Sequence, residues 1–296
     1  MLLNVLRILL ASTNWLPILR WVWALAHKLF EKVKQAKENT DINALNVEQK
    51  TLLDKTYKRF ARNGALLNSE DKKKLTEIDQ KLAKLKIDFG QHLLNDTNAF
   101  VRFFDSIEDL KGLSSALIEQ AKALAAEKGE ADKWAVNLDY PSYVPFMTYA
   151  DNRDLRKELF LAYAQRAAKN DESDNKQTLT DIASLRQERA QLLGYESHAA
   201  FVLEERMAQS EKNVQSFLDN LSEKAHPAAK KEWDTMETFA LENLGIEKLE
   251  KWDTAFVAEK LKQAKFDLDE QKLKPYFPLN KVLKGLFEIV ERLYGL

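Results

Sequence analysis

The 296-residue sequence contains no cysteine, which excludes a disulfide framework, a thiolate metal ligand and a cysteine nucleophile. It holds only 8 glycines and 6 prolines, well below the roughly 7% and 5% of an average protein, so helix-breaking punctuation is sparse and long helices are expected. Neither sign of charge dominates: 45 Lys and Arg against 46 Asp and Glu leave a net charge of −1. A nucleic-acid binder needs a dominant basic surface, so nucleic acid is not expected as a partner. Histidine is scarce too. His27, His92, His198 and His226 are the full set, and none has a second histidine four residues on, so no helix turn presents two imidazoles to one ion. There is no Gly-rich phosphate loop and no Gly-x-Ser-x-Gly elbow, which removes the most recognisable nucleotide and serine-hydrolase signals.

Long hydrophobic runs are also missing. Met1–Phe30 is the most apolar stretch, with Arg7, Arg20 and Lys28, no acidic residue, and Trp15, Trp21 and Trp23. Its longest uncharged run, Ile8–Leu19, has 12 residues, short of the ~18 a membrane span needs. Arg7, Asn14, Arg20 and His27 fall on one narrow stripe, so a helix here is apolar over most of its surface. Three readings compete: an interfacial anchor with weak surface contact to lipid, a degraded signal sequence, and unrelated residues produced by truncation or a frame change. The third is preferred.

What is present is helical patterning. Leu75, Ile78, Leu82, Leu85 and Phe89 alternate steps of three and four, which places an apolar stripe along one long helix. Asn68 and Asp71 offer its start and Asp96–Asn98 its stop. The stripe is too short to favour a coiled coil, and an antiparallel partner is expected around Val47–Arg62, across the Asn63-Gly64 break. The period changes between Ala99 and Leu138. Phe100–Phe104 and Trp134–Leu138 are rich in aromatic and β-branched residues and read as a small strand pair, separated by a helix at Ser114–Lys128 that Gly129 closes. From Asp151 onward helices return. Asp151 is the expected N-cap with Asp154 in the first turn, Gly194 and Gly245 are expected helix ends, and Pro227 is expected to break or kink two periodic runs, Val214–Ala225 and Ala228–Asn243. Pro275 and Pro278 bound a turn before a last helix, Asn280–Leu293. The fold class is mainly α with one two-stranded β insertion near 99–138.

Few constellations carry chemistry. Glu223-x-x-His226 has the carboxylate and imidazole spacing of di-iron bundles, but those need a second copy and two further glutamates, which the sequence lacks. Paired carboxylates such as Asp171-Glu172 and Glu204-Glu205 read as solvated faces among 46 acidic residues. Arg153, Arg156, Arg166, Arg186 and Arg189 stand out. A partly buried guanidinium most often holds carboxylates across helices, and this structural role is preferred over contact with a peptide carboxylate.

Several segments, in consistent order, resemble one family. Tyr57-Lys-Arg-Phe-Ala-Arg-Asn-Gly-Ala65 and Asp96-Thr-Asn-Ala-Phe100 come first, followed by Asp139–Arg156 with Tyr143-Val-Pro-Phe-Met147. Leu159–Arg166, Leu185–Tyr195, His198-Ala-Ala-Phe201, Met207-Ala208, Lys251-Trp-Asp253 and Leu273–Leu296 complete the series. Together these are similar to the thimet oligopeptidase and peptidyl-dipeptidase family of zinc metallopeptidases, including its bacterial dipeptidyl-carboxypeptidase branch. The likeness runs from about Leu29 to Leu296 and leaves out residues 1–28. It implies a multi-helix N-terminal half of a zinc oligopeptidase fold, truncated before the zinc-binding catalytic domain.

In that family a His-Glu-x-x-His helix holds zinc on two imidazoles and activates water with the glutamate. No such motif occurs in these 296 residues. The resemblance therefore implies a wall of a channel for short peptides, with zinc in the complete protein and none bound by this chain. No catalytic, cofactor-binding or metal-ligating residue is assigned. The competing expectation is a non-catalytic helical binding module that has kept the fold. A cytoplasmic location is expected, with the periplasm as the second reading.

Overall fold

A computed structural model of the chain describes residues 16–267 and 273–296, and side chains outside 16–27 and 274. It is 72% helical, which makes the fold mainly α, with eleven α-helices and one two-stranded sheet among the described residues. The chain divides into two compact units. One joins the residues up to Lys86 with Thr180–Glu211, and the other joins Ile87–Leu179 with Lys212–Leu296.

In the first unit, α1 (Leu16–Asn39) is followed by α2 (Val47–Arg62). Asn46 caps α2 with a reciprocal box: its side chain accepts from Gln49 N at 2.9 Å, and the Gln49 side chain accepts from Asn46 N at 3.1 Å. Two of the orphan amides of the first turn are satisfied in this way. The long helix α3 (Ser69–Ala99) starts at Asn68, whose side chain accepts from the amides of Glu70 and Asp71. Its stripe is buried at Leu75, Ile78 and Leu82.

The partner of that stripe differs from the expected one. Ile78 and Leu82 pack on Ile182, with Leu185 and Leu192 beside it, all on α7 (Lys176–Leu192). Helix α2 instead turns its aromatic face to α1, where the buried Phe30 ring lies 5.8 Å from Tyr57 and 5.6 Å from Phe60. The large rings of α2 find an aromatic neighbour there, and the aliphatic stripe of α3 finds an aliphatic one.

The second unit contains β1 (Val101–Phe104) and β2 (Trp134–Asn137), separated by α4 (Ser115–Glu127). The strands pair antiparallel, with Val101 opposite Asn137 and Phe104 opposite Trp134. Phe104 of β1 and Val136 of β2 reach the core, where they meet Leu110, Phe146 and Leu159, and Ala135 beside Val136 is buried too. Phe146 sits on α5 (Tyr140–Tyr149), a helix not among those expected from the sequence, with Pro141 and Pro145 within it. Pro141 occupies the first turn, where a missing N–H costs nothing.

Two boundaries are corrected. The cap of α6 (Arg153–Ala164) is Asn152, whose side chain accepts from Leu155 N. Asp151 is used otherwise: its amide donates to Lys111 O at 2.8 Å and its carboxylate lies 3.5 Å from Lys260. The pairing with Lys111 brings the backbone against Gly112, where an added Cβ would lie 2.1 Å from Tyr149 O. Secondly, α9 (Glu211–Leu244) is one helix across Pro227 and not two. Its residues from 215 to 234 are exposed, so water can take the carbonyl that proline leaves unpaired.

The short α8 (His198–Leu203) belongs to the first unit, while α10 (Thr254–Phe266) and α11 (Leu279–Tyr294) complete the second. Leu283, Leu286, Phe287 and Leu293 form the apolar stripe of α11, and all four are exposed. The expected span of this helix, Asn280–Leu293, holds to within a residue at either end, since Pro278 provides its N-cap and Gly295 its left-handed end.

Candidate functional site

The five arginines singled out from the sequence are the natural starting point, because a free guanidinium in a cleft would bind a peptide carboxylate. In the second unit, α6 aims Arg153 and Arg156 at the same carboxylate. Asp253 accepts from Arg153 Nη2 at 2.7 Å, Arg153 Nε at 3.0 Å and Arg156 Nη2 at 3.0 Å, and from the Glu250 amide at 3.1 Å. Arg156 is almost fully buried and also donates to the carbonyls of Ala150 and Asp151, with its plane 4.0 Å from the Phe256 ring centre. Burial pushes the Asp253 carboxyl up, but Arg153, the Glu250 amide and Arg156 together outweigh it and hold the group below the ordinary carboxylate value. Burial pulls Arg156 down from its usual value, against the opposing pull of Asp253. This charge is spent on closing the Trp252-Asp253 segment onto α6.

Arg166, also in the second unit, lies 3.5 Å over the Tyr163 ring, which stacks on Tyr143 at 4.2 Å. It donates to Tyr163 O and Thr97 Oγ1. In the first unit Arg189 pairs with Asp79 at 2.6 Å. Four of the five arginines therefore have internal partners, in agreement with the preferred structural role. Arg186 is exposed.

A second polar cluster in the first unit was not visible in the sequence. Arg62 at the end of α2 donates to Phe201 O at 2.8 Å and to Tyr195 Oη at 3.3 Å, pairs with Glu204, and lies 3.9 Å over the Phe201 ring. Tyr195 donates to Glu204 at 2.6 Å, and Lys58 spans Glu204 and Glu205. Burial raises the Glu204 carboxyl, but Tyr195, Arg62 and Lys58 together bring it below its ordinary value. Glu204-Glu205, read from sequence as a solvated pair, is thus a tie between α2 and the α8 region. The segment matching Tyr57–Ala65 and the one matching His198–Phe201 meet here.

His198 stacks on Phe201, and its pKa is lowered by burial first and then by Arg186, Arg189 and Lys86. His92 bonds the buried Asn175 at 3.0 Å. Glu223 and His226 are exposed on α9, and the His27 side chain lies outside the described residues. Among the described residues no three His, Cys, Asp or Glu side chains converge on a point that could hold a metal ion. The described residues do not fit a zinc site.

No described helix is long and apolar enough to cross a membrane. The clusters built around Asp253 and Arg62 each tie segments distant in sequence within one unit. Residues 146–296 match the family described as Peptidase family M3. Over 279 residues the chain is 34% identical to Oligopeptidase A of Salmonella typhimurium, covering 93% of this chain and 41% of that protein. It is 32% identical over 270 residues to Dipeptidyl carboxypeptidase of Escherichia coli, covering 91% and 40%. With Saccharolysin of Saccharomyces cerevisiae it shares 28% over 284 residues, covering 92% and 38%. The chain belongs to peptidase family M3. It spans about two fifths of the length of these relatives.

Proposed function

We propose that this chain is the N-terminal, substrate-channel half of a zinc-dependent oligopeptidase or peptidyl-dipeptidase. In the complete protein the substrates are short peptides, and zinc and the water-activating glutamate belong to the other half. Residues 29–296 carry the family region and residues 1–28 stand outside it. The cytoplasm is the proposed location, in keeping with one relative named Probable cytosolic oligopeptidase A.

The observation that carries this reading is coverage: nine tenths of this chain aligns with two fifths of the peptidases it resembles. The exposed α11 stripe supports it, because the apolar face of an amphipathic helix ordinarily packs against a core. In this reading α11 forms the seam with the catalytic half. Co-expression of the chain with the remaining part of Salmonella Oligopeptidase A, followed by affinity purification through a tag on one piece, tests it. Stoichiometric recovery that is lost in Phe287→Glu supports the seam. Absence of association, with both pieces soluble, favours the non-catalytic binding module.

A further inference from the structure

We infer that the groove between α1, α2 and α3 in the first unit docks an acidic amphipathic helix, about three turns long, from a partner protein. The groove has a volume of about 1390 Å³, larger than the ~300–1,000 Å³ of small-molecule sites. One wall comes from α3, through Lys72, Leu75, Thr76, Asp79, Gln80 and Ala83. Those positions follow helical spacing, so the wall is a single face of α3. At ~1.5 Å per residue it is about 16 Å long, the length of three helical turns. The facing wall is α2, through Lys55, Thr56, Arg59, Phe60 and Asn63.

Its floor is apolar and its rim is basic. Phe30, Phe60 and Leu75 form the floor together with Gly64, where an added Cβ would lie 2.4 Å from Leu75 Cδ2. Lys28, Lys55, Arg59 and Lys72 stand around it, and none is ion-paired among the described residues. Asp79 is the one acidic lining residue, and Arg189 neutralises it. Apolar anchors at i, i+3, i+4 and i+7 flanked by carboxylates complement this arrangement, which is the helix-in-groove mode of recognition.

Two occupants from the chain itself are disfavoured by charge. Residues 1–27 carry Arg7 and Arg20 and no carboxylate, so they would meet the rim as like charge. The α11 face of a second copy brings Lys281, Lys284 and Arg292 against Glu288 and Glu291, which is not an acidic ligand. This inference is independent of the peptidase reading.

The test is fluorescence anisotropy of the full chain with a labelled 16-residue Leu/Glu amphipathic peptide, against the same peptide with every Glu replaced by Lys. The acidic peptide should bind at least ~10-fold more tightly, and the affinity should fall with added salt. Lys55→Glu/Arg59→Glu should lower it at least ~10-fold with an unchanged far-UV circular dichroism spectrum. A control reversal on exposed α9, Lys230→Glu, should not. Equal binding of both peptides, or binding that survives the double reversal, overturns the proposal. So does binding that appears only after residues 1–27 are removed, since those residues would then be the occupant. Sedimentation with phosphatidylserine vesicles that is lost in the double reversal, without any peptide binding, would assign the groove to membranes instead.

Discussion

Arg156 and Asp253 form an ion pair sealed from water on both sides: the guanidinium residue is 1% exposed, the carboxylate residue 0%, and they meet at 3.0 Å. They are 97 residues apart, so the pair ties α6 to the loop ahead of α10. Removing one partner strands a buried charge, which costs far more than losing a surface pair.

Asp253→Asn is therefore expected to destabilise the chain by about 3–5 kcal/mol. Arg153→Gln, whose side chain is 43% exposed, should cost about 1 kcal/mol or less. The pH dependence follows from the direction of the shift. Asp253 is held below its ordinary 3.8, so on acidification the unfolded chain takes up the proton first. The contribution is full above about pH 4 and is lost as pH falls below it. Urea midpoints of wild type and Asp253→Asn should differ widely at pH 7 and converge toward pH 3.

His198 tests the cationic surroundings of Phe201. Its folded pKa lies below the ordinary 6.5, so the unfolded chain is the better proton acceptor, and His198 lowers stability as pH falls through that value. Two-dimensional NMR of the ring protons should show His198 titrating below the ordinary 6.5, and Arg186→Gln should raise it. An unchanged value in Arg186→Gln would remove Arg186 from the account.

Two glycines should respond in opposite directions. Gly112 has a φ of +95° and no room for a Cβ, with Tyr149 O at 2.1 Å, so Gly112→Ala forces the backbone apart and should destabilise by about 3 kcal/mol or more. Gly90 lies inside α3 with nothing within 4 Å, and Gly90→Ala should stabilise by about 0.5–1 kcal/mol. Thermal melts of both variants check this.

The α11 stripe predicts association. Leu286 is 52% and Phe287 66% exposed, and a contiguous apolar face of this kind drives self-association. Light scattering should show the chain above monomer mass, with Leu286→Glu or Phe287→Glu shifting it toward monomer without loss of helical signal. A mutant that unfolds would mean the stripe is already buried.

The local features of the fold were legible in the sequence, and the pairings between distant segments were not. The stripe at Leu75, Ile78 and Leu82, the strand pair, the glycine ends at Gly194 and Gly245, and the last helix all follow from residue type and period. The partner of the stripe did not, because an apolar face does not say whether Ile182 or Phe60 will cover it. Of the two outcomes expected at Pro227, a break or a kink, the break did not occur: the effect of a proline depends on whether neighbours or water surround the helix. Asn152 and Asp151 are both good caps, and the backbone bond from Asp151 to Lys111 decided between them. The arginines were legible as structural, but Asp253 was not legible as their shared carboxylate. Arg62 and Glu204, 142 residues apart, left no local signal at all.

The most direct test of the proposed function is a chelator-controlled peptidase assay. The chain alone, dialysed against zinc, and the chain co-purified with the remaining part of Salmonella Oligopeptidase A would each be given a quenched short peptide. The account predicts no hydrolysis and no stoichiometric zinc for the chain alone, and chelator-sensitive hydrolysis for the pair. Near one zinc per chain with chelator-sensitive hydrolysis by the chain alone would contradict it, as would a stable pair that binds zinc and cleaves nothing.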